Sequence, residues 1–180
     1  MKIDSVVVGI YQENCYILKQ DNEALIIDPG DEFEKIKKIV GDMKVVGILV
    51  THHHFDHVGA LEECQDEYKV PIYDRSNLKE KEYQVGLFNF EVLFTPGHTD
   101  DSVTYYFKEN NNMFVGDFIF KGSIGRMDLG GNISDMKNSL KKMINFQNKH
   151  ENEVINIYSG HGLVTTLEDE IHTNPYFLSL

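Results

Sequence analysis

An acidic chain of 180 residues, formal charge −12, 41% hydrophobic and 26% charged, has the composition of a globular protein and length enough for a sizeable core, expected here as one domain spanning 1–180. The acidity argues against a nucleic-acid surface and means that an anionic substrate would need a local basic clamp. No apolar run approaches the roughly 20 residues of a membrane span, so no membrane partner is expected.

In chain order, residues 2–9 carry Val6-Val7-Val8 and read as a strand. Residues 14–18 and 23–27 read as a second and third strand, joined by a turn at Asp21-Asn22. The third runs into the turn signal Asp28-Pro29-Gly30. Asp31 then fits an N-cap, with Glu34 completing a capping box for a helix that shows Phe33, Ile36, Ile39 and Val40 on one face. Residues 44–50 form an apolar strand. Val58, Leu61 and Cys64 are spaced for a helical face, 70–73 reads as a short strand, and 74–82 as a short surface helix. Residues 87–94 alternate as a strand, and 102–107 with 113–115 form a hairpin around Asn110-Asn111-Asn112. The glycine-rich stretch 121–132 reads as an irregular substrate loop. Ser134 fits the cap of a helix in which Met136, Leu140, Met143, Ile144 and Gln147 share a face. A strand at 154–158 and a last helix, from about Leu167 to just before Pro175, complete the chain. Cys15 and Cys64 belong to no CxxC pair and read as core residues; with no signal-peptide pattern at the N-terminus, a cytoplasmic location is expected.

The chemistry concentrates in Thr51-His52-His53-His54-Phe55-Asp56-His57, directly after the apolar strand 44–50. The same arrangement of apolar strand, tight turn and then histidine or aspartate recurs at His98, Asp117 and His161. Ligand sites in open α/β sheets collect past strand ends, so these segments are expected at one sheet edge. His52 and His54 are two apart, which aligns side chains on an extended or loop backbone and separates them on a helix. Imidazoles and carboxylates without thiolate suit zinc, iron or manganese. Seven candidate ligands (His52, His54, Asp56, His57, His98, Asp117 and His161) are too many for one open site. They suit two divalent ions with one bridging carboxylate. Two such ions about 3.5–4 Å apart can share a hydroxide and polarise a carbonyl. His53, between the aligned pair, is expected not to be a ligand, and His150 and His172 are read as structural.

With these residues assembled, the chain resembles the metallo-β-lactamase-fold hydrolases. Residues 51–57 have the T-H-x-H-x-D-H form, Thr95-Pro96-Gly97-His98-Thr99 is similar to the third motif of that family, Gly116-Asp117 to the fourth and Ser159-Gly160-His161-Gly162 to the fifth. The resemblance implies an α/β (α+β) fold, an αβ/βα sandwich of two mixed β-sheets with helices on the outer faces. It implies that His52, His54 and His98 bind a first metal, that Asp56, His57 and His161 bind a second, and that Asp117 bridges them, with Asp56 and Asp117 at the catalytic centre. A bridging aspartate is unlike true β-lactamases, and His54 is unlike the flavodiiron branch.

The segment 118–128 and the tail with Thr165-Thr166-Leu167-Glu168 and Asn174-Pro175 resemble the short glyoxalase II-like (hydroxyacylglutathione hydrolase-like) branch. That branch implies cleavage of a thioester of the S-lactoylglutathione kind by a metal-bridging hydroxide, with Arg126 and Lys121 as the local cations for the substrate. The chain departs from the longer glyoxalase II enzymes in lacking their C-terminal helical domain, and it has Ile171 where many short relatives carry arginine. The thiol carrier therefore stays open. Two other readings are a mononuclear Fe(II) persulfide dioxygenase, using His52 or His98 with Asp117, and a non-catalytic metal-binding scaffold.

Overall fold

The computed structural model describes every residue from Met1 to Leu180. One mixed sheet carries β1 (Lys2–Val8), β2 (Glu13–Gln20), β3 (Glu23–Ile27), β4 (Lys44–Leu49) and β5 (Ile72–Tyr73) in that spatial order. A second mixed sheet has the order β13-β12-β9-β8-β7-β6, built from β6 (Glu82–Val85), β7 (Phe88–Phe94), β8 (Val103–Phe107), β9 (Asn112–Gly116), β12 (Asn156–Ser159) and β13 (Thr165–Thr166). A small separate hairpin, β10 (Ile119–Phe120) and β11 (Ser123–Ile124), follows β9.

The strands read as nearly continuous apolar runs because both faces of each sheet are buried. Period-two alternation sorts their side chains between two layers. In β2 and β3, Tyr16, Leu18, Leu25 and Ile27 point between the sheets, and Cys15, Ile17, Ala24 and Ile26 point outward. The second sheet answers with Phe90, Val92, Tyr105 and Phe114 on its inner face and Leu93, Tyr106, Met113 and Val115 on its outer face. Each outer face is then closed by helices. Helices α1 (Phe33–Val40) and α3 (Leu61–Tyr68) bring Ile36, Val40 and Cys64 onto the first sheet. Helices α4 (Ile133–Lys149), α5 (Leu167–Thr173) and α6 (Pro175–Leu178) bring Met136, Leu140, Met143, Leu167 and Phe177 onto the second. The expected αβ/βα sandwich is the fold observed. No helix is long and apolar enough to cross a membrane.

Local expectations fail in four places, each for a local reason. Residues 74–82 do not form a helix. The Asp74 carboxylate accepts from the Ser76 backbone N–H at 2.8 Å and holds a turn, and Glu82 begins β6, pairing with Glu91 of β7. Helix α1 is capped at Glu32 in a left-handed conformation, not at Asp31, whose Oδ1 accepts from the Glu32 N–H at 2.6 Å. Helix α4 starts two residues early, because the extended Asn132, not Ser134, accepts from the Asp135 N–H at 2.9 Å. The helix expected after the histidine cluster is broken in two, α2 (Phe55–Val58) and α3, at Gly59-Ala60.

The sandwich positions the site through its strand ends. Strands β3 and β4 are parallel and finish side by side, as do β9 and β12; β7 runs with β9, since both are antiparallel to β8. At this edge the sheets are tied together. The Val103 N–H donates to the Thr51 carbonyl at 2.8 Å, and the Asn14 N–H to the Gly160 carbonyl at 2.7 Å. The fully buried Tyr105 hydroxyl, carried on β8, directs its proton at the carbonyls of Val50 (2.7 Å) and Tyr73 (3.0 Å). It thereby holds the end of β4, one residue before the histidine cluster, against the opposite sheet. Tyr105→Phe is expected to lower unfolding free energy by about 1–2 kcal/mol at unchanged m-value, measured by urea denaturation.

Candidate metal centre

The site grows from Asp28, which follows β3 in a left-handed conformation (φ 51°) that aspartate tolerates better than most residues. Its buried carboxylate is fully employed. Oδ1 accepts from the Thr51 N–H at 2.7 Å; Oδ2 accepts from the Thr51 hydroxyl at 2.5 Å and from His57 Nδ1–H at 2.9 Å. Because the Thr51 proton is committed to Asp28, Thr51 Oγ1 can only accept from His52 Nδ1–H, 3.1 Å away. That contact fixes the His52 tautomer and leaves Nε2 as its free nitrogen. The same logic runs around the cluster, since a carbonyl only accepts. His98 Nδ1–H donates to the Arg126 carbonyl at 2.6 Å, freeing Nε2, and His54 Nε2–H donates to the Leu129 carbonyl at 2.9 Å, freeing Nδ1. In metal sites such outer partners set which ring nitrogen is available.

The free atoms converge in two groups. Ligand atoms of His52, His54 and His98 lie within 4.8 Å of one another, as do those of Asp56, His57 and His161. His54 Nδ1 and His98 Nε2 face each other at 2.9 Å. Asp117 stands between the groups: its Oδ1 is 3.2 Å from His57 Nε2, and its Oδ2 is 3.5 Å from His161 Nε2 and 3.7 Å from His98 Nε2. His161 Nε2 is also 3.3 Å from Asp56 Oδ2. His52 Nε2, His57 Nε2 and Asp117 Oδ1 are buried and have no hydrogen-bond partner. A third grouping, Asp28 with His52 and His57, is a supporting network, because the Asp28 oxygens are already taken.

Titration follows burial and charge. Burial, reinforced by neighbouring imidazoles, pushes His52 well below the ordinary histidine value, and burial also lowers His98. Burial depresses His57 too, but the carboxylates of Asp117 and Asp28 outweigh it and hold His57 well above. Burial works against the Asp117 carboxylate, yet the His57 imidazole and its neighbours keep it below the usual range.

All seven residues singled out from the sequence come together. His53 does not join them; it faces outward to Asp101 at 2.7 Å. His150 and His172 bond the carbonyls one turn back, Phe146 and Glu168. Arg126 lies at the cleft rim with its guanidinium held by Asp128 at 2.6 and 2.5 Å, and its backbone carbonyl orients His98. Lys121 is exposed at the β10–β11 turn and is not among the residues lining the cleft. That cleft, of about 830 Å³, opens over the site between Tyr11, Phe55, Phe120 and Leu129.

Sequence reasoning missed Glu13, at the start of β2. It is 1% exposed with neither carboxylate oxygen hydrogen-bonded, and it lies 3.9 Å from His57 Nδ1. Burial raises it well above the ordinary carboxyl value. No local signal marks it, since its sequence neighbours Gln12 and Asn14 are not metal-ligand types. Crowding demands glycine at several positions around the site, Gly160 and Gly116 among them. A Cβ on Gly160 would fall 2.4 Å from both Asp117 Oδ1 and His57 Cε1. One on Gly116 (φ 54°) would fall 2.3 Å from Thr51 Oγ1.

Two mixed sheets with outer helices, and two histidine-rich groups at one strand-end edge, define the αβ/βα metalloenzyme sandwich. The chain belongs to the metallo-β-lactamase superfamily, which it matches over residues 8–81 and 74–149. It is 34% identical over 209 residues to the probable metallo-hydrolase YqgX of Bacillus subtilis (strain 168), across 98% of this chain and 97% of that one. It is 30% identical to the hydroxyacylglutathione hydrolase GloC of Haemophilus influenzae, across 99% of each. Among solved structures it superposes on the BLEG-1 B3 metallo-β-lactamase with TM-score 0.88, 31% identity and coverage of 98% and 99%. It superposes on TTHA1623 in a di-iron-bound form with TM-score 0.85, 31% identity and coverage of 96% and 99%. These likenesses fit the glyoxalase II-like branch.

Asp28→Ala strands the Thr51 N–H and the His57 Nδ1–H in the interior. It is expected to lower the stability of the metal-free protein by about 2–4 kcal/mol, read from chemical denaturation of wild type and variant after chelation.

Proposed function

We propose that this chain is a dinuclear metal-dependent hydrolase that cleaves the thioester of a small acyl-thiol, with S-lactoylglutathione as the archetype. One observation carries the metal reading. His54 Nδ1 and His98 Nε2 face each other at 2.9 Å while each ring donates its other N–H to a backbone carbonyl. Two imidazole lone pairs at that distance repel unless a cation or a proton lies between them. His52 Nε2, buried and without a partner, turns to the same point. The donor set fits divalent ions of the zinc, iron and manganese kind, with zinc the first choice. His52, His54 and His98 would hold one ion and Asp56, His57 and His161 the other, with Asp117 shared. Bound there, two such ions supply Lewis acidity toward a carbonyl and an activated water as nucleophile near neutral pH.

The rest is the work of the chain. Asp56 and Asp117 flank His161 Nε2 at 3.3 and 3.5 Å, and both line the cleft. The committed tautomers of His52, His54, His57 and His98 keep every free nitrogen aimed inward, so little reorganisation accompanies the reaction. Tyr11, Phe55, Phe120 and Leu129 wall the cleft and exclude bulk water from one side of the substrate. A thiolate leaves without strong general-acid assistance, and the two carboxylates that line the cleft, Asp56 and Asp117, are both placed as ligands. Arg126 is the only cation lining the cleft, and Lys121 could meet only a substrate that extends beyond it.

Metal analysis of purified protein paired with a thioester panel tests this reading. Wild type should carry two ions per chain and cleave thioesters; Asp117→Ala should lower the metal content and abolish cleavage. Undiminished turnover in that variant would sink the assignment. Oxygen uptake with a persulfide and no thioester cleavage would favour a mononuclear iron dioxygenase instead.

A further inference from the structure

Glu13, the first residue of β2, is buried beside the site and belongs to neither group of ligands. It is 1% exposed, and neither carboxylate oxygen has a hydrogen-bond partner. An apolar side chain of similar volume would be more stable in such a place. The surroundings of the two oxygens are specific. Oε1 lies 3.9 Å from His57 Nδ1, beyond hydrogen-bond reach, as a second acceptor beside the N–H that Asp28 holds at 2.9 Å. This is the ring nitrogen away from Nε2, so Glu13 stands behind the imidazole and is not a ligand. Oε2 packs against Gly30, where an added Cβ would fall 2.6 Å from it and 1.9 Å from the Asp56 carbonyl oxygen. Glycine at position 30 thus lets the Glu13 side chain lie beside the Asp56 main chain.

The main chain of the same residue reaches the third ligand. Glu13 forms an isolated antiparallel bridge with His161. Next to it, the Asn14 N–H donates to the Gly160 carbonyl at 2.7 Å, and Asn14 Nδ2 donates to the carbonyls of Ser159 and Gly162, both at 3.1 Å. Glu13 therefore lies against the Asp56 main chain, the His57 ring and the His161 backbone, and these are the three ligands of the second group. Its carboxylate bonds none of His52, His54 and His98. Partners behind a ligand commonly account for about 10–100-fold in metal affinity.

We propose that Glu13 is a positioning residue for the second metal ion alone. Its placed oxygens keep the His57 ring and the Asp56 main chain in the arrangement that ion needs, and the first ion does not depend on it. Glu13 coordinates nothing and touches no reacting atom. The inference rests on the dinuclear reading above and adds an asymmetry to it. The two ions have separable supports: Glu13 behind Asp56, His57 and His161, and the carbonyls of Arg126 and Leu129 behind His98 and His54.

The test is a calorimetric titration of zinc into metal-free wild type, Glu13→Leu and Glu13→Gln. Wild type should bind two ions. Glu13→Leu fills the space without oxygens. It should bind the second ion about tenfold or more weakly and the first within about threefold of wild type, while the metal-free variant melts no lower than wild type. Glu13→Gln keeps the shape and an acceptor toward His57, and should retain both ions within about threefold. Nitrogen-15 spectra of the histidine rings identify the weakened site. In Glu13→Leu one equivalent of zinc should shift His52, His54 and His98, with His57 and His161 following only at excess. Should leucine prevent folding, Glu13→Ala takes the same titration with the same expectation for each ion. Equal weakening of both ions, a second ion held as tightly as in wild type, or a glutamine variant that loses it would overturn the proposal alone. A wild type that binds one ion overturns the dinuclear reading, and the proposal falls with it.

Discussion

The site depends on one buried carboxylate. Asp28 ends the strand pair β3–β4 by accepting three hydrogen bonds, two from Thr51 and one from His57. Through the Thr51 hydroxyl it also decides the tautomer of His52. A single side chain thereby sets the backbone path into the histidine loop and the direction of one free imidazole nitrogen in each of the two groups. The remaining orientations come from main-chain carbonyls of the glycine-rich loop, Arg126 and Leu129. The loop after β11 accordingly shapes the site through its backbone. The side chain of Arg126 is occupied elsewhere, with Asp128.

Supporting such a network takes a rigid frame at the strand ends. The inter-sheet core, with Phe90, Tyr105 and Phe114 against Leu25, Ile27 and Leu49, holds the two edges in register, and the Tyr105 hydroxyl pins the last turn of chain before Thr51. Four loops from two sheets can then bring nitrogen and oxygen atoms within a few ångströms of each other. The resulting density of like groups is costly without a cation, as the unpartnered His52, His57 and Asp117 atoms record. Gly160 and Gly116 are the corresponding geometric demand, each standing where a methyl group would strike the cluster or its support.

Much of this was legible in the sequence. Long apolar runs ending in His52–His57, His98, Asp117 and His161 identified the strands, their common edge and the converging residues, because strand and motif are written in adjacent positions. What escaped is written in distant ones. Glu13 reaches His57 across 44 positions, and the turn signal at Asp28 gave no hint that its side chain would bond Thr51 and His57. Strand β6 escaped because the charged stretch 74–82 reads as helix up to Glu82, where the strand begins, and only pairing with β7 makes Glu82–Val85 a strand. The caps of α1 and α4 moved by one or two residues because the Asp31 carboxylate is taken by the Glu32 N–H next to it and because Asn132, ahead of Ser134, accepts from the Asp135 N–H. The pairing of Arg126 with Asp128, two positions apart, was available to inspection but ambiguous, since a loop arginine is as readily a substrate clamp as an ion pair.

The central claim is that hydrogen bonds outside the cluster preset which nitrogen of His52, His54, His57 and His98 would face the metal ions. Nitrogen-15 NMR of the histidine rings, recorded before and after zinc addition, tests it directly. The account predicts that two equivalents of zinc shift Nε2 of His52, His57, His98 and His161 and Nδ1 of His54, while His53, His150 and His172 stay unchanged. Coordination through the opposite nitrogen of His52, His54 or His98, or shifts confined to a single group of three ligands at saturation, would contradict it.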